Sequence, residues 1–142
     1  MMIAKNATTA ECLITQFANN EVSKSYLALV EGEFPSDITK FTSALGEVES
    51  GGSRTVVEGD GLTTLFRILN MGVDKSLLEV KPVTGKTNQI RIHLAELGYP
   101  IVGDIGYKDA SYFRQNPLTY EDDQLYLHAW KIAFKDVDGV LY

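Results

Sequence analysis

Cysteine is almost missing from this chain. Cys12 stands alone among 142 residues, which excludes an internal disulfide and a cysteine-rich zinc site. Histidine is nearly as scarce: His93 and His128 lie 35 residues apart with no third ligand in a recognisable pattern, so no metal is expected. Positive charge is short too. Thirteen Lys and Arg against nineteen Asp and Glu leave a net charge of −6. That is a poor basis for a free-standing nucleic-acid binder, because phosphate contacts supply most non-specific affinity. No apolar run approaches the roughly 18–20 residues of a membrane helix. No basic-then-apolar leader opens the sequence, and neither repeats nor low-complexity tracts interrupt it. These absences lead us to expect no membrane partner and a cytoplasmic protein.

What is present is enough for one core. Hydrophobic residues make up 44% of positions and charged ones 23%, the balance of a single folded domain. Met1 to Ala4 reads as a strand. Thr8 to Glu11 fits the Thr-x-x-Glu capping box, and Ala10, Leu13, Ile14, Phe17 and Ala18 follow at helical spacing, predicting a helix over 8–19 packed on one face. Tyr26 to Glu31 reads as a strand closed by Gly32. The glycine-rich stretch 35–62 predicts a hairpin excursion or mobile loop outside the core. Thr64 to Leu69 and Ser76 to Val80 read as two strands joined by a turn. A helix from about Asn88 stops at Gly98 and Pro100, and Ile101-Val102 is a short buried segment. Residues 109–123 are polar and turn-rich. Leu125 to Lys135 predicts a long strand, Asp136 to Gly139 a turn, and Val140 to Tyr142 a return strand. Mixed elements without strict alternation predict an α+β fold with a few helices on a mixed, largely antiparallel β-sheet.

Familiar catalytic signatures are missing. Gly85-Lys86-Thr87 imitates the end of a phosphate-binding P-loop, but that loop needs a glycine where this chain has Val80. No Gly-x-Gly-x-x-Gly occurs. Cys12, on the apolar side of the first helix, reads as a packing residue. The segment that stands out is Pro82 to Leu94, in which a strand enters a tight turn and the turn opens a helix, whose first N–H groups attract anions. Arg91 lies one turn inside that helix. Pattern alone leaves it either a functional cation or a side chain reaching past Ile90 and Ile92 to solvent.

The run KPVTGKTNQIRIHLAELGYPIVGDIGY, from Lys81 to Tyr107, resembles the glycine turn and Gln-Ile-Arg-x-His-Leu signature of RNA pseudouridine synthases of the RluA type. Lys24 to Gly32 resembles that family's Lys-x-Tyr-x-Ala-x-Val-x-Gly strand. Thr64-Leu65-Phe66 with Ser76 to Glu79 resembles the strand pair before the turn, and Leu125 to Phe134 resembles the Leu-His-Ala strand. The resemblance spans almost the whole chain. It implies a cofactor-free and metal-free isomerase that converts uridine in ribosomal or transfer RNA to pseudouridine. It also implies roles: Tyr26 would stack on the target base and assist proton removal, Arg91 would hold a catalytic aspartate ionised and oriented, and Leu78 would line the uracil pocket. Packing alone accounts for Tyr26 and Leu78 as alternatives. A buried carboxylate nucleophile needs a cation beside it to stay charged, and a planar guanidinium can fix it through two bonds.

The sequence departs from that family at three points. Lys86 stands where the family usually has arginine and Asn88 where it usually has histidine, so these substrate-binding positions would grip a phosphate or neighbouring loop less firmly. The third departure is the aspartate itself. The family carries it in an Arg-Leu-Asp-x-x-Thr-Ser-Gly loop just before the strand that here begins at Met1, and this sequence has no such loop. Asp104 belongs to a separate Gly-Asp feature and reads as structural, which leaves Arg91 expected to face an empty position. The expectation is therefore a single, N-terminally truncated pseudouridine synthase-like domain over 1–142, inactive alone and weak toward RNA. It should self-associate through exposed sheet edges. The alternative is a non-catalytic remnant that binds RNA or a partner protein.

Overall fold

The computed structural model of the chain describes residues 2–50, 53–107 and 124–142. The described residues form two helices and five strands: α1 (Ala7–Ala18), β1 (Ser23–Glu31), β2 (Lys40–Ser50), β3 (Ser53–Met71), β4 (Lys75–Pro82), α2 (Gln89–Glu96) and β5 (Leu127–Ala133). The strands make one sheet in the order β2-β3-β4-β1-β5, and every described pairing is antiparallel. The fold is thus α+β, as the mixture of patterns predicts.

Alternation in the central strands creates the core. In β1, Ala28 and Val30 point to one face, and their neighbours in β4, Leu78 and Val80, point the same way. Phe66 of β3 joins them, and α2 lays Ile90 and Leu94 over this face, with Ile101 closing one side. Phe34 fills the gap beyond β1, its ring 5.5 Å from Phe66 and 5.1 Å from Tyr99. Ser76 locks that corner: its Oγ accepts the Phe34 N–H at 2.9 Å, and its hydroxyl donates to the Gly32 carbonyl at 2.8 Å. Gly98 ends α2 at φ +82, a left-handed conformation that glycine adopts without steric cost, and the chain returns through Ile101, which bridges Val30.

Several expectations need correction. Met1 lies outside the described residues, and Met2 to Ala4 form no strand with the described residues. The cap of α1 is Asn6 rather than Thr8. Asn6 is extended (φ −152) and its Oδ1 accepts the Thr9 N–H at 2.8 Å, so the helix has already begun at Ala7. Nor is α1 packed along an apolar face. Its buried side chain is Gln16, whose amide binds the Lys135 backbone twice at 2.8 Å, while Ile14 and Phe17 are exposed. The stretch 35–62 does form a hairpin, but its base belongs to the sheet: Leu62 is buried, and Ile38 and Phe41 pack against the core. Residues 109–123 lie outside the described residues. The return segment 140–142 does pair back as expected, with Phe134 and Tyr142 exchanging backbone hydrogen bonds at 3.0 and 2.8 Å around a Lys135–Leu141 bridge and their rings stacked at 5.9 Å.

Candidate functional site

One cleft of about 210 Å³ opens where β1 begins and β4 ends. Lys24 and Tyr26 enter it from β1, Pro82 from β4, Leu127 from β5, and Thr84, Gly85, Lys86 and Asn88 from the turn before α2. The first turn of α2 contributes Gln89, Ile90 and Arg91. Pairing of β1 between β4 and β5 puts Tyr26 opposite both Val80 and Ala129, and a bulge on β5 beside it sets the local bend. Bulges re-aim side chains at such sites, and a second hollow, lined by Phe17, Trp130 and Ile132, shares Lys24 and Tyr26 with the cleft.

The turn is held close to β1. A Cβ on Gly85 would come within 3.3 Å of Asn20 Oδ1 and 3.4 Å of Lys24 Nζ, so the glycine allows the turn to approach the strand. Asn88 stands before α2 at φ +56, a left-handed position that asparagine tolerates better than most residues. Its side chain does not cap the helix. Oδ1 instead accepts a hydrogen bond from Arg91 Nη1 at 3.1 Å.

Arg91 is the centre of the arrangement, and it does not face an empty position. Its Nε donates to Asp104 Oδ2 at 2.8 Å and its Nη2 to Asp104 Oδ1 at 2.7 Å. This is the two-point geometry for which a guanidinium is suited and an ammonium is not. Asp104 is 1% exposed and also accepts the Gly106 N–H at 3.1 Å. The Tyr107 ring lies 4.5 Å from the guanidinium carbon, covering the cation from one side. The spacing Gly103-Asp104 after a short buried strand is the only mark this partner leaves in the sequence, and nothing in that mark points to Arg91. The fold makes the link, because Ile101 and Val102 pair with β1 and carry Asp104 back to α2.

The structure brings Tyr26, Lys86, Asn88 and Arg91 together around this cleft. Leu78 is not among its walls. It is wholly buried in the core, paired with Ala28 on one side and Ile68 on the other. Lys81 pairs with Glu79 at 3.9 Å, and the basic neighbour that lines the cleft instead is Lys24. Of the histidines, His93 is buried on α2 itself and His128 is exposed on β5. Among the described residues no three His, Cys, Asp or Glu side chains gather as a metal site, and no helix is long and apolar enough to cross a membrane.

Fold and site together define an α+β sheet domain with an arginine-centred polar cleft at one end of its strands. A family model described as RNA pseudouridylate synthase matches residues 1–96. The chain is 36% identical over 140 residues to ribosomal large subunit pseudouridine synthase C of Haemophilus influenzae, a match covering 95% of this chain and 43% of that protein. The protein of the same name from Buchnera aphidicola is 33% identical over 140 residues, with 94% and 44% covered. Among solved structures, Human RNA Pseudouridylate Synthase Domain Containing 1 superposes with a TM-score of 0.77 at 26% identity, covering 98% of this chain and 60% of that one. The chain belongs to the RNA pseudouridylate synthase family, and within it to the RluA type. It spans less than half the length of these two curated relatives, and its fold is part of the family domain.

Proposed function

We propose that this chain forms the arginine-and-tyrosine side of the catalytic site of an RNA pseudouridine synthase, as a single domain. The observation that carries the reading is Arg91, fixed in direction by Asp104 and opening on a cleft shared with Tyr26, Lys24 and Lys86. In the reaction a uridine leaves its duplex or loop, its glycosidic C–N bond is broken, and the base is rejoined to the sugar through carbon. Tyr26 supplies a π-face and a hydroxyl to the extruded base. Lys24 and Lys86 offset the charge of the flanking phosphates, with Asn88 completing the turn that presents Lys86. Arg91 orients the attacking carboxylate. Leu78 contributes from behind, as packing under Ala28 that holds β1 and β4 together. The substrate is RNA, and the names of the bacterial relatives favour ribosomal RNA.

The chain alone carries out no turnover in this reading. Asp104 is buried and already bonded to Arg91 and Gly106, so it is spent on structure and has no lone carboxylate face for a sugar or base. Losing a covalent nucleophile removes the route itself rather than trimming its rate. Two preparations test this with uridine-containing ribosomal RNA. The chain alone should yield no pseudouridine by mass spectrometry. The chain extended at its N-terminus with the preceding portion of the Haemophilus influenzae relative should yield it, and Arg91→Lys or Tyr26→Phe should reduce that yield by at least about a hundredfold. Product from the chain alone, or full activity in the Arg91→Lys extension, would overturn the assignment.

A second reading, a binding remnant that self-associates, is favoured by exposed apolar residues beside the β5 edge. Trp130 and Ile132 on β5 and Ile14 and Phe17 on α1 are all exposed, and an unpaired edge strand with apolar flanks is a template for association. Light scattering across a wide concentration range decides it, since a constant monomer mass is incompatible with edge pairing. RNA affinity of the isolated chain should be weak and should fall as salt rises.

A further inference from the structure

Two members of the run from Gln89 to Leu94 take no part in the chemistry above, Gln89 and His93, and both are buried, at 2% and 0% exposure. The Gln89 amide makes four hydrogen bonds. Its Oε1 accepts from the Thr84 hydroxyl at 2.7 Å and from the Lys86 N–H at 3.3 Å. Its Nε2 donates to the Thr63 carbonyl at 2.9 Å and to Thr64 Oγ1 at 3.1 Å. The carbonyl and the N–H orient the amide unambiguously, since one can only accept and the other only donate. Thr64, wholly buried, lies 2.8 Å from His93 Nδ1. Thr64 Oγ1 keeps a second lone pair and its own proton, so the bond to His93 Nδ1 forms with either tautomer of a neutral imidazole, while Nε2 is buried without a hydrogen-bond partner among the described residues. Burial favours the same neutral form by lowering the His93 pKa.

We propose that His93, Thr64 and Gln89 form a buried hydrogen-bond chain that sets the position of the 84–88 turn, and that Gln89 and His93 are thereby positioning residues for Lys86 and Arg91 at the cleft. Filling the space between α2 and β3 would need only an apolar side chain. An amide with all four of its bonds made, two of them to the turn and two to β3, specifies where the turn sits. The turn is tied to the same strand at its other end, where the Val83 N–H donates to the Thr63 carbonyl at 2.9 Å and Thr84 Oγ1 accepts from the Thr63 N–H at 3.3 Å. The turn is thus clamped to β3 at Thr63 and Thr64, while Lys86 projects from its free side into the cleft. The geometric claim stands on the hydrogen bonds; its consequence for nucleotide binding rests on the proposed function.

The test uses the 142-residue chain. Imidazole nitrogen resonances of the unaltered protein should show a neutral His93 whose Nδ1 is hydrogen-bonded; an Nδ1 without a hydrogen bond overturns the chain of bonds. Thr64→Val removes the central hydroxyl at nearly constant volume, and Thr64→Ser restores it. In Thr64→Val the Lys86 and Gln89 amides, both hydrogen-bonded across the turn, should exchange with solvent about tenfold faster, while those of Ala28 and Leu78 keep their rates, and Thr64→Ser should return the turn to its original protection. Unchanged exchange at the turn, or equal loss at all four amides, overturns the proposal. Binding of a fluorescent uridine-containing oligonucleotide supplies the functional arm, with about tenfold weaker affinity expected for Thr64→Val. Unchanged affinity with a loosened turn refutes the link to the cleft. Absence of binding by the unaltered chain refutes the uridine-site reading, and the exchange data still decide the positioning claim.

Discussion

Arg91 and Asp104, thirteen positions apart in the chain, meet in a two-point ion pair of 2.8 and 2.7 Å at the foot of the cleft. The carboxylate is almost fully buried and the arginine is 21% exposed. The pair therefore fixes the guanidinium while leaving it in reach of the cleft.

Removing the acid should be costly. Asp104→Ala removes the two-point counter-charge from a largely buried cation and the carboxylate that accepts the Gly106 N–H, so we expect a loss of about 2–4 kcal/mol in urea unfolding. The low end allows for the exposed fifth of Arg91. Asp104→Asn should recover part of this through one retained hydrogen bond. A loss under about 0.5 kcal/mol for Asp104→Ala would mean that the pair does not hold Arg91.

His93 predicts a pH limb. Burial lowers its folded pKa below the ordinary value of 6.5. A group with a depressed folded pKa binds more protons when unfolded, so its contribution is complete above about pH 6.5 and is lost as pH falls toward the folded pKa. The urea midpoint should decline between about pH 7 and pH 5, and the slope should flatten in His93→Phe. An identical slope in both proteins assigns it elsewhere.

Glu79 governs a separate, more acidic window. The Arg67 hydrogen bond, with Nε at 2.7 Å, is the main cause holding its carboxyl below the usual range; burial opposes it, and Arg67, Lys81 and Lys131 add attraction. Its contribution is present above about pH 4.3 and disappears as pH drops through the lowered folded value. Because Arg67 is 65% exposed, solvent screens the pair. An Arg67→Ala, Glu79→Ala cycle should give a coupling of about 1 kcal/mol or less.

The helix cap separates two residues that sequence alone confuses. Asn6→Ala should cost about 1 kcal/mol of helix stability, because Oδ1 satisfies the Thr9 N–H. Thr8→Ala should cost much less. Amide exchange at Thr9 and Ala10 reads this directly, and equal effects of the two changes would restore Thr8 as the cap.

Residues that act through their neighbours in the chain were legible. The inward alternation of Ala28, Val30, Leu78 and Val80, and the glycine stop of α2 at Gly98, are local patterns, and the structure realises them as written. The grouping of Tyr26, Lys86, Asn88 and Arg91 was legible only by resemblance, since composition argued against RNA. Legibility ended where two candidates compete for one task. Asn6 and Thr8 can both cap a helix, and the choice falls to the residue whose backbone is extended. Ile14 and Phe17 have helical spacing, yet spacing does not say whether another surface covers them.

Cysteine scarcity, the acidic balance, the strand and helix periods and the Gln-Ile-Arg-x-His-Leu run are properties of the chain as written. The periods suffice for the fold class, because short-range sterics and side-chain alternation set it, and the family is legible only through the resemblance that the Gln-Ile-Arg-x-His-Leu run carries. Whom Arg91 binds, whether Leu78 meets solvent, and why Gln89 and His93 sit beneath the turn were settled only when β1 came to lie between β4 and β5 with α2 across them. Those partners lie in different segments of the chain, and a hydrogen bond or ion pair forms between groups that packing brings within about 3 Å, whatever their separation in sequence.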